Sequence, residues 1–305
     1  SMFLADIPTA LIFFSICMPL LEQNGCEPGK SKFGKAMMLG IPVGAAIGGI
    51  GTPAGSGMNA VTMSLLKSIC DVEISFTQWS IVGVPVALAS TVFAWFFFCI
   101  IFKPEISVVK GLESVKEERK AIGPLRGDEL KFTIVFAVML VLWFIPNYTG
   151  IDMYMTAWGG IFVMSMPGMN MVNWKEMNGK IDWSAVMICG AATALATVVS
   201  NLGTGEWLSN ILADLFLADV AGMGMIVLLF VINLMMMVGH YPMPQGVSLA
   251  GLCLPVVGAL ALQLGLNPIV VCLPVCMSTS MLLLVPIDPT CYTTYSGGYW
   301  KIKDM

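Results

Sequence analysis

Two aspartates stand beside prolines inside strongly apolar sequence: Asp6 in Ala5-Asp6-Ile7-Pro8-Thr9, and Asp288 in Ile287-Asp288-Pro289-Thr290. Ionisable groups at membrane depth are costly and usually face a cavity, so these carboxylates can coordinate a cation or carry a proton. If they sit close together, one keeps its proton at neutral pH, because adjacent negative charges oppose ionisation. A local use is equally open to them, since an aspartate just ahead of a proline is an ordinary helix start whose carboxylate caps free N–H groups. The second chemistry-bearing stretch is Gly48-Gly49-Ile50-Gly51-Thr52-Pro53-Ala54-Gly55-Ser56-Gly57-Met58-Asn59. Its glycines permit backbone that frees carbonyls for a sodium ion and lets N–H groups approach an anion. Close helix packing is the alternative use, although a run serving only that purpose need not contain the polar Ser56 and Asn59. In the second half, Gln245, Ser248 and Thr290 offer neutral donors and acceptors to a polar solute. No lysine or arginine lies in either stretch, so an anion must be held by helix N-termini, hydroxyls, amides and bound cations. Together these groups suit a cation-coupled anion carrier.

The elements that position them are apolar helices. Of 305 residues, 57% are hydrophobic and only 11% charged, against roughly 25% charged in an ordinary soluble domain. The chain therefore reads as an all-α polytopic membrane protein. Met2 to Pro19 is apolar but short and early for a span, and suits a re-entrant segment, which is tolerated at membrane depth only against protein or a cavity. A polar loop, 22–35, leads to the apolar run Ala36 to Ile50, the glycine-rich break, and Ala60 to Leu66. Neither half reaches the roughly 20 residues of a span, so the element reads as one discontinuous helix. Trp79 to Phe102 is a full-length span. The polar segment 103–131 follows, with seven of the fifteen Lys and Arg residues, which places it in the cytoplasm. Glu113, Glu117 and Glu118 alternate with its bases and predict a short surface helix. Further spans are predicted at Phe132 to Ile145, Tyr154 to Met166, Trp183 to Ser200, Ala221 to Val238 and Leu249 to Leu262. The run Pro274 to Val285 enters a second break at Pro286 to Thr290. Trp143, Trp158, Trp174, Trp183 and Trp300 lie near span ends, where indoles either favour the headgroup layer or simply pack. Both halves thus carry a polar-tipped short segment, a loop and a broken helix, the pattern of inverted repeats. The divisions are 1–102, the connector 103–131, and 132–305.

Other chemistries lack support. The nine cysteines lie mostly in apolar runs without metal-ligand spacing and read as small buried hydrophobes. The single histidine, His240, ends an apolar run, where it serves either the helix end or a cavity. No basic patch suits nucleic acid. No paired base and nucleophile, zinc cluster or phosphate loop suits an enzyme, and no organic cofactor is expected.

The order of elements resembles the divalent-anion:sodium symporter family, whose members carry di- and tricarboxylates or sulfate. Ser1 to Ala10 looks like that family's first hairpin tip, with Ala5, Asp6, Ile7, Pro8 and Thr9 at the usual Ser-Asn-Thr-Ala-Thr motif. Gly55-Ser56-Gly57-Met58-Asn59 stands where Gly-Thr-Pro-Pro-Asn is usual, Gln245 to Leu249 at the second hairpin motif, and Asp288-Pro289-Thr290 where Ala-Thr-Pro-Pro is common. Ala121 to Leu125, Ile181-Asp182-Trp183 and Ser296 to Met305 are further landmarks in the expected order. The resemblance implies inverted repeats with re-entrant hairpins, an elevator-like movement, a homodimer and a location in the bacterial inner membrane. It implies a first sodium site at Ser1, Ala5, Asp6 and Gly55, with Asp6 and Ile7 near the substrate, and a second at Tyr241, Pro244, Gly246, Asp288 and Thr290, with Gly246, Val247 and Pro289 near the substrate. Ser56, Asn59 and Gln245 complete the expected substrate set.

Family members normally carry helices ahead of the first hairpin and after the last broken helix, so the chain reads as truncated at both ends or unusually short. The added carboxylates also oppose a doubly charged substrate. The expected function is cation-coupled transport, with sodium favoured, of small carboxylates such as C4-dicarboxylates or citrate. The alternatives are a less negatively charged solute coupled to protons, or a degenerate subunit or binding protein that does not transport.

Overall fold

Apolar runs with few charges can satisfy their backbone in lipid only as helices or closed barrels, and in the computed structural model of the chain every regular element among the described residues is helical. The structure describes all residues except 107, 112–119, 121–122, 170, 180, 182, 242, 244–245 and 280–288, and only the backbone of 69, 147–148, 184–185, 188–189, 192, 196, 216, 218, 247 and 289. The surface helix expected around Glu113, Glu117 and Glu118 lies outside the described residues.

Four long helices make the first half. Helix α1, Asp6–Gln23, starts at Ala5, whose carbonyl accepts from the Thr9 hydroxyl at 2.9 Å. It reaches further than the expected short segment ending at Pro19, because Pro19 continues inside the helix. Its end is fastened by Asn24, whose amide donates to Leu20 O at 2.7 Å and to Lys110 O at 2.9 Å, while its Oδ1 accepts from Lys110 N at 2.8 Å. Helix α2, Lys32–Gly49, begins inside the expected polar loop, because the Ser31 hydroxyl caps Gly34 N at 2.9 Å. Helix α3, Gly57–Cys70, follows the break. Helix α4, Phe76–Ile101, has a capping box between Ser75 and Gln78. With 26 residues it rises about 39 Å, and it is the one described helix long and apolar enough to cross a membrane.

The second half holds α5, Asp128–Phe144; α6, Met153–Ser165; α7, Trp183–Asn201; α8, Thr204–Leu212; α9, Met225–Gly239; α10, Gly246–Gln263; α11, Pro268–Thr279; and α12, Pro289–Tyr295. One-turn helices at Pro146–Thr149, Trp174–Asn178 and Ala218–Gly222, a π turn at Ala213–Leu217 and a 3-10 turn at Ile302–Asp304 connect or end them. The span expected from Ala221 is thus divided, with Gly224 at φ 119° between the pieces.

Packing crosses the chain's midpoint reciprocally. Helices α1 and α2 pack together, as do α10 and α11. The helix after the first break, α3, lies on α10, α11 and α7 of the second half, whereas the helix after residues 280–288, α12, lies on α1 and α2 of the first. The main core accordingly mixes the halves, with Ile50, Leu65, Leu66 and Trp79 among Leu254, Leu260, Val271 and Cys272. A second cluster joins Leu21, Cys26 and Met38 to Tyr299 and Trp300. Among the tryptophans, Trp158, Trp174 and Trp183 are exposed, but Trp143 is buried, stacks on Phe76 and donates to Met153 O at 3.1 Å. Trp300 is buried edge-on to Tyr295. For these two, packing replaces the headgroup reading, because the indole finds apolar partners within the fold.

Candidate functional site

The break between α2 and α3 is a built turn. Gly51 N donates to Gly48 O at 3.0 Å and Gly55 N to Thr52 O at 3.1 Å, so the ladder tightens and then stops. The Ser56 hydroxyl caps α3 by accepting from Met58 N at 3.4 Å. Asn59 does the larger task. Fully buried, its amide nitrogen donates to Gly49 O and to Thr52 O, each at 2.8 Å. Two backbone carbonyls therefore orient the amide, and its Oδ1 is left buried without a hydrogen-bond partner among the described atoms. From outside the turn, the buried Trp79 indole donates to Ile50 O at 2.9 Å, and Gly83 of α4 lies so close that an added Cβ would stand 2.6 Å from Gly51 O and 2.7 Å from Ile50 O.

The start of the chain folds against this turn. The Thr52 hydroxyl donates to Met2 O. Ser1 lies beside Gly48 and Gly55, where a Cβ on Gly55 would meet Gly49 O at 2.5 Å and Ser1 O at 2.9 Å. A Cβ on Gly49 would lie 3.4 Å from Gly55 O, 3.7 Å from Ser56 Cβ and 3.9 Å from Asp6 Cβ. Ser1, Asp6, Gly49, Gly55 and Ser56 thus pack against one another at the turn, with Ala5 at the start of α1. The Ser1 hydroxyl, like Asn59 Oδ1, is a buried acceptor without a partner among the described atoms. Asp6 is the first residue of α1 and accepts from Ile7 N at 3.0 Å, which also fits the local helix-start use, while Ile7 is exposed.

In the second half, Gly246 opens α10 and touches the first: a Cβ there would lie 2.6 Å from Thr279 O and 3.5 Å from the Met58 sulfur. The N-terminus of α10 therefore meets that of α3. Thr290 is buried in the first turn of α12, Tyr241 is exposed, and His240 is buried at the end of α9. Pro244, Gln245 and Asp288 lie outside the described residues, as do the side chains of Val247 and Pro289. Sequence reading missed Thr52, Trp79 and Gly83 as supports of the turn. The only signal was their type, a hydroxyl, an indole and a glycine in apolar surroundings.

Outside the membrane segments, Glu105 sits at the N-terminus of α2. Burial raises its pKa, but hydrogen bonds from Ser31, its own backbone, Phe33 N at 3.0 Å and Lys32 together hold it below the usual carboxylate value. Asp304 behaves alike: burial raises it, and Lys301 N at 2.9 Å with the Lys35 ammonium at 3.0 Å lowers it further.

Residues 8–305 match the family described as the sodium:sulfate symporter transmembrane region. A "Sodium-dependent dicarboxylate transporter SdcS" of Staphylococcus saprophyticus is 22% identical over 330 aligned positions, covering 100% of this chain and 62% of that protein. Its namesake in Staphylococcus aureus is 22% identical over 317, covering 98% and 60%. A "Membrane protein" of Cupriavidus necator is 21% identical over 243, covering 79% and 47%. The chain thus spans about half to three-fifths of the length of these relatives. The matched family is one of transporters, not enzymes. The chain belongs to the sodium:sulfate symporter transmembrane family and is an integral membrane protein.

Proposed function

We propose that this chain is the transport core of a cation-coupled symporter for small carboxylates, with sodium as the coupling ion. The observation that carries this reading is the glycine turn between α2 and α3, where Asn59 Oδ1, on the amide held by Gly49 O, and the Ser1 hydroxyl, beside Gly48 and Gly55, are buried without hydrogen-bond partners among the described atoms. Buried acceptors lacking donors are costly, and a small oxygen-seeking cation such as sodium relieves that cost. The second site of Tyr241, Pro244, Gly246, Asp288 and Thr290, and substrate contacts from Asp6, Ile7, Ser56, Asn59, Gln245, Gly246, Val247 and Pro289, complete the reading. The reciprocal packing of α3 and α12 supports inverted repeats at 1–102 and 132–305 joined by a cytoplasmic connector at 103–131, with an elevator-type movement, a homodimer of the whole protein and a bacterial inner membrane as its setting. That the SdcS relatives are sodium-dependent dicarboxylate transporters favours dicarboxylates as the solute.

The test is uptake of labelled succinate, citrate, sulfate and a monocarboxylate by proteoliposomes of the complete natural protein, with and without sodium and proton gradients, alongside Asp6→Asn. Sodium-dependent uptake of succinate or citrate, altered by the variant, is the expected result. Asp6 favours one second reading, a less negative solute coupled to protons, which predicts monocarboxylate uptake driven by the proton gradient. No uptake by folded protein would instead support a subunit that does not transport.

A further inference from the structure

At the end of α10 remote from Gly246, the C-terminal half of that helix meets the end of α7 and the start of α8 around a cavity of about 300 Å³. Ala259 in its lining lies roughly 20 Å along α10 from Gly246, so the cavity is separate from the turn between α2 and α3. Its lining is polar at Ser200, Glu206, Asn210 and Gln263. It is apolar at Pro255, Ala259 and Leu262. Gly205 packs so closely on α10 that an added Cβ would stand 3.3 Å from Pro255 O, and the buried Ser209 hydroxyl donates to Gln263 Oε1 at 3.1 Å. That bond keeps the Gln263 amide nitrogen as a donor. Glu206 and Asn210 stand one turn apart and share a face of α8. The Glu206 charge has no basic counterpart in the cavity: no lysine or arginine occurs between Lys180 and Lys301, and no ion pair among the described residues includes Glu206.

We propose that this cavity is a second binding site, for the ethanolamine group, taken either as the free amino alcohol or as the headgroup of phosphatidylethanolamine. A lone carboxylate among neutral side chains selects a cation, and the volume suits a small organic molecule rather than a bare ion. A primary ammonium brings three N–H donors, for which the Glu206 carboxylate and Asn210 Oδ1 are the acceptors, and charge-assisted bonds of this kind are the stronger ones. The oxygen two carbons away accepts from the Gln263 amide nitrogen or the Ser200 hydroxyl, while the methylenes lie against Pro255, Ala259 and Leu262. A quaternary ammonium has no N–H to donate, and no aromatic side chain among the described lining residues offers the cage that holds such cations. Trp207, exposed next to Glu206, is of the type that settles at headgroup level, which gives the lipid form access. The proposal is independent of which solute is carried at the glycine turn.

The experiment places the complete natural protein in phosphatidylcholine nanodiscs and follows thermal unfolding as ethanolamine or choline is added at fixed pH and ionic strength. The midpoint should rise saturably with ethanolamine and not with choline, and Glu206→Gln should raise the half-saturating concentration about tenfold or more. Equal midpoints of wild type and Glu206→Gln before any addition show that the variant is folded. Should it fail to fold, Asn210→Ala replaces it, with a weakening of about threefold or more expected. Phosphatidylethanolamine nanodiscs separate the two sources. A higher midpoint there for wild type than for Glu206→Gln, with no further response to free ethanolamine, assigns the cavity to the lipid headgroup, whereas an undiminished response to free ethanolamine assigns it to the soluble amine. Equal responses to ethanolamine and choline, a response to calcium chloride in place of ethanolamine, or no rise from either source that depends on these side chains would overturn the proposal.

Discussion

Asn59 spends both of its amide protons on the chain break and keeps its oxygen for something else. Replacing it with alanine takes from Gly49 O its side-chain donor and leaves Thr52 O with the Gly55 N–H alone, in a buried place, which should cost about 1–3 kcal/mol. Thermal unfolding in detergent with and without sodium should show a lower transition and a smaller sodium-induced rise for Asn59→Ala. An undiminished sodium shift would remove Asn59 from the cation site. Trp79→Phe keeps the ring but loses the donor to Ile50 O, and should cost about 1 kcal/mol by the same measurement. At this scale the sequence was partly legible. Asn59 was conspicuous as an amide among glycines, but Trp79 read only as the start of a span, because its bond to Ile50 joins residues that periodicity does not relate.

Two helix contacts govern how the elements meet. Gly83 lets α4 touch the broken turn, and Gly83→Ala would press a methyl into Gly51 O and Ile50 O. The expected loss is roughly 1–3 kcal/mol, with weaker cation dependence of uptake than Gly40→Ala, where an added Cβ meets nothing within 4 Å. At the N-terminus of α2, the depressed pKa of Glu105 has a definite sign. Its ionised form is favoured by folding, so its stabilisation is present above the unfolded carboxylate pKa of about 4.3 and is lost as pH falls through the lower folded value. Melting temperature measured from pH 7 down to pH 3 should therefore fall less steeply in Glu105→Gln than in wild type. Equal slopes would show that the Ser31 and Phe33 bonds contribute nothing on balance.

The whole molecule is held together by an exchange of helices, α3 onto α10 and α11, and α12 onto α1 and α2. Helices α3 and α12 each find their main packing partners in the opposite half. Fragments 1–115 and 116–305 should therefore copurify through a tag on either one when produced together, and aggregate or be degraded when produced singly. A monodisperse single half would count against the exchange as the source of stability. The buried Tyr299, which donates to Cys26 O at 3.1 Å, and the Lys35–Asp304 pair belong to the same closure of chain end onto chain start.

Composition and apolar run length were enough to establish membrane helices, the polar connector and a glycine-rich break within Gly48 to Asn59, because glycine, proline and charge act on the backbone locally. The family resemblance, rather than composition, implied one site for Ser1, Ala5, Asp6 and Gly55. Tertiary structure decided that α3 packs on the second half and α12 on the first, that Trp143 and Trp300 pack inside, and that Asn59 Oδ1 has no partner among the described atoms. These depend on contacts between residues tens to hundreds of positions apart, and a one-dimensional pattern carries periodicity along an element but not the identity of the surface it finally meets.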